Sequence, residues 1–166
     1  KLDFDFDDAK SPFPSAIYSP GTIYGMAATV KTANLLGLLP LSGRAFYETH
    51  PADADRLYIA SRAFVLLTGV LTLYAAFLLG RALYTSEVGW IAAALLAINP
   101  VHMIYSFLID NHVLMVLAAT LSFFFAARVL RGGRPRDYYL SGFCAGLAMC
   151  NALHGVLCFA FLLFAH

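Results

Sequence analysis

Charged residues are scarce in this chain. Only 13% of its 166 residues are Asp, Glu, Lys or Arg, about half the share found in an average soluble domain. Apolar residues make up 60%, more than a soluble fold of this length could bury, because small domains leave much of their surface exposed. The composition therefore excludes an ordinary soluble enzyme, a disordered tail and a nucleic-acid-binding protein, and it predicts a polytopic membrane protein.

Cysteine is also rare, and Cys144, Cys150 and Cys158 all lie in one apolar stretch. Their spacing matches neither a CxxC motif nor a zinc-binding pattern, so we interpret them as small apolar residues inside helices. The first ten residues do not resemble a secretory leader, because they are acidic and lack an apolar core. The sequence begins at Lys1 and stops inside an apolar run at His166, and we interpret it as a piece of a larger protein.

Long apolar runs predict four spanning helices, since one span needs about 20 mostly apolar residues. These runs cover about 57–80, 88–106, 110–130 and 138–166. The last is long enough for one tilted helix or for two helices broken near 151–155. The dipeptide Asn99-Pro100 predicts that the second span ends or bends there. The fold expected for 57–166 is thus an all-α, polytopic transmembrane helix bundle.

Residues 1–56 are predicted to form an acidic loop outside the membrane, with a short amphipathic or re-entrant helix within 17–40. Most of the acidic residues precede Arg56, whereas five arginines lie in two short connections: Arg81, Arg128, Arg131, Arg134 and Arg136. The positive-inside rule places both connections in the cytoplasm. The acidic N-terminal region and Asp110 then share the opposite face.

Two neighbouring carboxylates in the acidic segment, Asp7 and Asp8, are candidates for a general base. Adjacent like charges raise the pKa of one member of such a pair, and a base must be placed and partly desolvated to work near neutral pH. The alternative is a solvated loop whose Phe4 and Phe6 anchor it at the membrane interface.

Asp110 and Arg62 are candidates because each lies at the boundary of a predicted span. Ionisable residues near membrane depth are costly and are usually paired or functional. Asp110 could equally be the N-cap of the third span. Arg62 could bind an anionic phosphate through a bidentate contact, or it could only extend its charge to the membrane surface.

Asn151, His154, His102 and His112 complete the polar residues expected near this face. A lone histidine such as His154 is more often a satisfied residue of a helix core than a ligand. His102 and His112 flank the same outer loop as Asp110. A metal site formed by these three residues is conceivable, although only their closeness in sequence supports it.

Six segments in this order resemble the GT-C superfamily of integral membrane glycosyltransferases, especially its protein-mannosyltransferase-like and aminoarabinose-transferase-like members. The segments are Phe6-Asp7-Asp8, Ile17–Tyr24, Ala60–Leu67, Gly89–Pro100, Ser106–Asp110 and Ser141–Ala148. Two positions depart from the family pattern. Phe107 stands where members often carry an Arg after the serine, and Asn151 or His154 stands where many carry a Lys.

The resemblance implies a sugar donor on a polyprenyl phosphate and a site on the extracytoplasmic or lumenal face. Asp8 or Asp7 would take the proton of the acceptor hydroxyl, and attack opposite the phosphate would invert the anomeric centre. Arg62, with His154 and Asn151, would bind the phosphate, and Asp110 would orient the acceptor loop or help to hold a divalent cation. The acceptor would be a protein, a glycan or a lipid.

The implied setting is the bacterial inner membrane or the endoplasmic reticulum membrane. The implied partners are membrane lipid and the remainder of the protein's own transmembrane domain, with no nucleic acid. Two alternatives remain open at this point: a multi-pass transporter fragment, and a non-catalytic scaffold subunit with the same fold. A transporter would be expected to carry a polar stripe within its spans, and few polar residues interrupt the spans here.

Overall fold

The computed structural model describes residues 20–151 and 153–165, and every regular element within them is helical. The helices are α1 (Pro20–Leu35), α2 (Arg44–Thr49), α3 (Pro51–Leu83), α4 (Ser86–Ala97), α5 (Pro100–Phe107), α6 (His112–Leu130), α7 (Pro135–Asn151) and α8 (Leu157–Ala165), with a 3₁₀ turn at Leu153–Val156. The predicted all-α membrane fold is confirmed. The division into an outer loop and a helix bundle stays a prediction.

Within the described residues, two helices, α3 and α6, are each long and apolar enough to cross a membrane. With 33 residues, α3 rises about 50 Å, which exceeds the roughly 30 Å apolar core of a bilayer. We therefore place its first turns, with Asp53, Asp55 and Arg56, beyond that core. Helices α4 and α5 are long and apolar enough only when taken together, as a bent pair that forms either a broken third span or a re-entrant loop.

The chain bends by 62° between α4 and α5, at the dipeptide where the sequence predicts a break. Pro100 occupies the first turn of α5, a position that tolerates proline because the N–H there has no helical partner. The side-chain oxygen of Asn99 accepts hydrogen bonds from the N–H groups of Val101 (2.9 Å) and His102 (3.3 Å). Asn99 is thus the N-cap that allows a second helix to start at once.

The packing between helices relies on small side chains. Five residues with at most 1% exposure lie between α6 and α7 or beside them: Ala118, Ser122, Ser141, Ala145 and Ala148. Large apolar side chains point outward instead, and Trp90 and Phe143 are 66% and 70% exposed. Membrane helices commonly associate through small residues, because lipid gives no hydrophobic drive for helix contact. The distribution is the one expected for helices in apolar surroundings.

Helices α3 and α4 cross closely at two glycines. A Cβ built on Gly80 would lie 2.8 Å from the Cα of Gly89, and a Cβ built on Gly89 would lie 2.6 Å from the carbonyl oxygen of Phe77. Real Cβ atoms are not found at such distances, so both positions need glycine. The close approach lets α4 return directly along α3.

One end of the bundle, called the basic end below, carries Arg81, Arg128, Arg131, Arg134 and Arg136. Asp137 is buried there with 1% exposure. Its Oδ2 accepts a hydrogen bond from the N–H of Arg134 at 3.0 Å. The Nε of Arg128 lies 3.3 Å from its Oδ1, close enough for an ion pair but not aligned as a hydrogen bond. Through these two contacts Asp137 links the start of α7 to the end of α6.

Candidate functional site

The opposite end of the bundle, called the polar end below, is joined by contacts between several helices. It comprises the start of α1, the part of α3 around Arg62, the end of α5, the connection 108–111 and the end of α7. Helix α1 packs closely on α3, since a Cβ built on Gly25 would overlap the ring of Phe64. The sequence-predicted residues Arg62, Asp110 and Asn151 all lie at this end.

Arg62 connects α3 to the end of α5. Its Nε donates a hydrogen bond to the carbonyl oxygen of Phe107 at 3.0 Å, and its guanidinium carbon lies 4.9 Å from the ring centroid of Tyr58. The last carbonyls of a helix have no partner inside the helix, so Arg62 caps the C-terminus of α5, where a cation is favourable. It thereby fixes the start of the connection that carries Asp110.

Asp110 is held at the start of α6 by His112. Its Oδ1 lies 2.7 Å from Nδ1 of His112 and accepts the backbone N–H of the same residue at 3.2 Å. The N-cap of α6 is Asn111, so the sequence-based N-cap assignment for Asp110 is wrong by one residue, although its carboxylate does accept the first N–H of the helix. Both side chains are partly accessible, with exposures of 26% for Asp110 and 48% for His112. A ligand at the polar end could reach this pair.

Asn151 is buried, with 3% exposure, at the last residue of α7. Its Nδ2 donates to the carbonyl oxygen of Leu147 at 2.7 Å. Its Oδ1 accepts from the hydroxyl of Thr22 at 3.2 Å, and its backbone oxygen accepts from Nδ2 of Asn111 at 2.8 Å. One residue thus contacts α1, the start of α6 and its own helix.

A cavity of about 180 Å³ lies inside the bend between α4 and α5, against the first turns of α6. Its lining is mostly apolar and consists of Leu96, Asn99, Val101, His102, Tyr105, His112, Val113 and Val116. His102 and His112 thus line one cavity. Among the residues that the structure describes, no group of three or more His, Cys, Asp or Glu side chains could hold a metal ion. The structure does not assemble the three-residue metal site considered from the sequence.

A family model for dolichyl-phosphate-mannose-protein mannosyltransferases matches residues 56–166. The chain belongs to this mannosyltransferase family. The GT-C resemblance is thereby confirmed, and the family and the apolar helices together indicate an integral membrane protein. No curated protein and no solved structure matches the chain.

The part that matches the mannosyltransferase family includes Arg62, Asp110, Asn151 and His154. His154 belongs by its backbone to the 3₁₀ turn after α7, and its side chain lies outside the described part. Asp7 and Asp8 lie outside both the described residues and the matched range. The roles assigned to all these residues from the sequence stay predictions.

Sequence reasoning missed three residues at the polar end of this family member: Tyr58, Thr22 and Asn111. Tyr58 precedes Arg62 by one helical turn, a spacing that could have suggested a cation–π contact on one helix face. Thr22 and Asn111 each reach Asn151 across more than 35 positions of sequence. No local pattern marks such contacts, because they depend on how α1, α6 and α7 pack.

Proposed function

We propose that this chain forms part of a membrane glycosyltransferase that moves a sugar from a polyprenyl-phosphate donor to a hydroxyl group of an acceptor. The family match over residues 56–166 carries the proposal. The gathering of Arg62 and Asp110 at one end of the bundle supports it, because a lipid-phosphate donor would present its phosphate at the membrane surface. The acceptor class is a protein, a glycan or a lipid.

In this proposal Arg62 binds the phosphate of the donor. Its Nε is engaged by Phe107, which orients the guanidinium while its other N–H groups can meet an anion. A guanidinium suits phosphate because its donors form a rigid fork. His154, in the turn after Asn151, is the second proposed phosphate contact, on the strength of the family resemblance.

The proposed reaction balances, because one proton moves to a carboxylate and one electron pair leaves with the phosphate. Asp8 or Asp7 takes the proton of the acceptor hydroxyl as its oxygen attacks the anomeric carbon. The bond between that carbon and the phosphate oxygen breaks, and the phosphate leaves with the electron pair. Arg62 stabilises the charge that develops on the leaving group. Attack from the face opposite the phosphate inverts the anomeric centre.

Asp110 orients the acceptor or its loop in this scheme. The short contact with Nδ1 of His112 holds the carboxylate in one position, as an orienting group requires. The polar end would face the periplasm or the lumen, opposite the arginines of the basic end.

The test uses the full-length protein, purified and supplied with a polyprenyl-phosphate sugar and candidate acceptors. Asp7→Asn and Asp8→Asn are made singly and together, with Asp3→Asn and Asp5→Asn as matched controls from the same acidic segment. We expect one member of the pair, or both together, to lower the transfer rate by at least about 100-fold, the usual contribution of a general base. The two controls should transfer at the parental rate.

Two results would contradict the proposal. Unchanged transfer in the Asp7→Asn, Asp8→Asn double variant would exclude the pair as the base. Absence of transfer from every lipid-linked donor would favour the transporter or the scaffold subunit.

A further inference from the structure

The basic end joins two connections that are far apart in the sequence. Nη2 of Arg131, in the turn after α6, donates a hydrogen bond to the carbonyl oxygen of Leu83 at 2.7 Å, across 48 positions. Leu83 is the last residue of α3, and Arg81 precedes it in the last turn of the same helix. The charge of Arg81 therefore lies at the same end as those of the α6–α7 connection. The name basic surface is used below for Arg81, Arg131, Arg134 and Arg136.

The turn between α6 and α7 holds its arginines in an ordered conformation. Gly132 has a φ of +76°, which glycine adopts without steric cost. A Cβ built on Gly133 would lie 2.6 Å from the carbonyl oxygen of Arg128 and 3.0 Å from Oδ2 of Asp137. The same Oδ2 accepts the N–H of Arg134. An anion that binds here would not have to order a loose loop, which removes one of the usual costs of binding.

Most of the charge on this surface is not neutralised within the protein. The two connections, 81–87 and 128–137, contain five arginines but only two acidic residues, Glu87 and Asp137. Asp137 is buried and paired with Arg128, and Glu87 lies in the first turn of α4, where a helix favours a negative charge. The exposed arginine side chains without a hydrogen bond or ion pair to any described residue are Arg81, Arg134 and Arg136.

Exposed apolar and aromatic side chains border these cations. Leu83 and Leu130, at the ends of the two spanning helices, are 42% and 63% exposed, and Tyr84 and Tyr139 are 71% and 79% exposed. Tyrosine is enriched where a membrane protein crosses from the acyl chains into the head groups. A soluble anion would contact only the cations, whereas a phospholipid offers a phosphate to the cations and acyl chains to the leucines.

We infer that the basic surface binds an anionic phospholipid of the leaflet that this end of the bundle faces. Guanidinium groups form bidentate contacts with phosphate, and a cluster of basic residues next to a spanning helix attracts lipids with a net negative charge. The positive-inside rule assigns this end to the cytoplasmic leaflet, where anionic lipids are concentrated. The inference does not depend on sugar transfer.

The test counts the lipids that stay bound to the full-length protein. The protein is purified in a neutral detergent and supplied with equal amounts of dioleoyl-phosphatidylglycerol and dioleoyl-phosphatidylcholine, and native mass spectrometry gives the ratio of the two bound lipids. We expect phosphatidylglycerol to be preferred. The double variant Arg134→Gln, Arg136→Gln should lower the ratio by about five- to 25-fold, since each basic residue near an anionic surface contributes about fivefold. Arg81→Gln should lower it further, because both connections form the surface.

Two matched variants separate the basic surface from other effects. Lys31→Gln combined with Arg56→Gln removes the same charge from exposed residues of α1 and α3 outside the two connections, and it should keep the parental ratio. Arg134→Lys combined with Arg136→Lys keeps the charge of the surface and should stay within about threefold of the parental ratio. A loss confined to the glutamine variant of the surface would exclude a general effect of net charge.

Three outcomes would overturn the inference. The parental protein could bind both lipids equally, or the Lys31 and Arg56 double variant could lose the preference as strongly as the Arg134 and Arg136 double variant. Glycerol 3-phosphate, which carries a phosphate without acyl chains, could displace the bound phosphatidylglycerol, which would show that the surface binds a soluble anion. Lipid binding is measured without an acceptor or a sugar donor, so failure of the proposed function would leave this result unchanged.

Discussion

The guanidinium of Arg62 makes structural contacts and also has a proposed chemical role. The Nε contact with Phe107 and the stacking on Tyr58 fix its orientation, and the mechanism needs its charge at the leaving phosphate. A lysine could supply the charge, but its single ammonium cannot keep the planar, forked geometry. Charge alone should therefore not be sufficient at this position.

We expect Arg62→Ala and Arg62→Lys each to lower kcat by about 100- to 1000-fold, as the loss of one charge-stabilising donor usually does. Sugar transfer by the purified full-length protein is the measurement. Arg56→Ala is the matched control, because Arg56 lies on the same helix and makes only an exposed contact with Asp53. Recovery of the parental rate in Arg62→Lys would show that a point charge suffices and would contradict the forked phosphate contact.

At the scale of helices, α6 and α7 are joined by a reciprocal pair of serines. The hydroxyl of Ser122 donates to the carbonyl oxygen of Ser141, and the hydroxyl of Ser141 donates to the carbonyl oxygen of Ser122, both at 3.0 Å. The two hydroxyl oxygens are 3.3 Å apart, and both residues have 0% exposure. The pair fixes the register of the two helices.

Ser122→Ala and Ser141→Ala should each lower the free energy of unfolding by about 1 kcal/mol. The double variant should lose less than the sum of the two, with a coupling of about 0.6 kcal/mol, the average for hydrogen bonds between membrane helices. Unfolding in mixed detergent micelles measures all three variants. Thr120→Val combined with Ser141→Ala is the control and should be additive, since Thr120 bonds only within α6. Strict additivity of the serine pair would show that the two hydroxyls act independently.

At the scale of the whole molecule, charge separates the two ends of the bundle. Five arginines lie at the basic end, while Asp53, Asp55 and Asp110 lie toward the other. An excess of arginine marks the cytoplasmic side of membrane proteins. The orientation of the protein is therefore open to a direct test.

Single cysteines are introduced into a version without native cysteines and are labelled with a membrane-impermeant maleimide. Asp55→Cys should react from the extracytoplasmic side, and Arg134→Cys should react only after the membrane is opened. Phe143→Cys is the control: its parent side chain is 70% exposed on an apolar helix, so it should face lipid and stay unlabelled. Labelling of Arg134→Cys in intact vesicles of known orientation would show that the orientation is opposite to the one expected.

The features that the sequence predicted correctly depend on residues that are neighbours in the chain. The bend at Asn99-Pro100 follows from a proline that cannot donate and an asparagine that can cap. The burial of Asp137 could not be predicted, because it lies in a basic, turn-like segment and becomes buried only when α7 packs on α6. The link between Thr22 and Asn151 spans 129 positions and depends entirely on tertiary packing.

The short length of α4 has a consequence for the surrounding lipid. Its 12 residues rise about 18 Å, so the interruption at Asn99 falls short of the far surface of an apolar layer about 30 Å thick. A bilayer resists unpaired backbone groups at such depth, and it adapts to a short apolar stretch by becoming thinner. We expect the membrane to dip toward α5, which would shorten the path by which the head group of a lipid reaches the polar end.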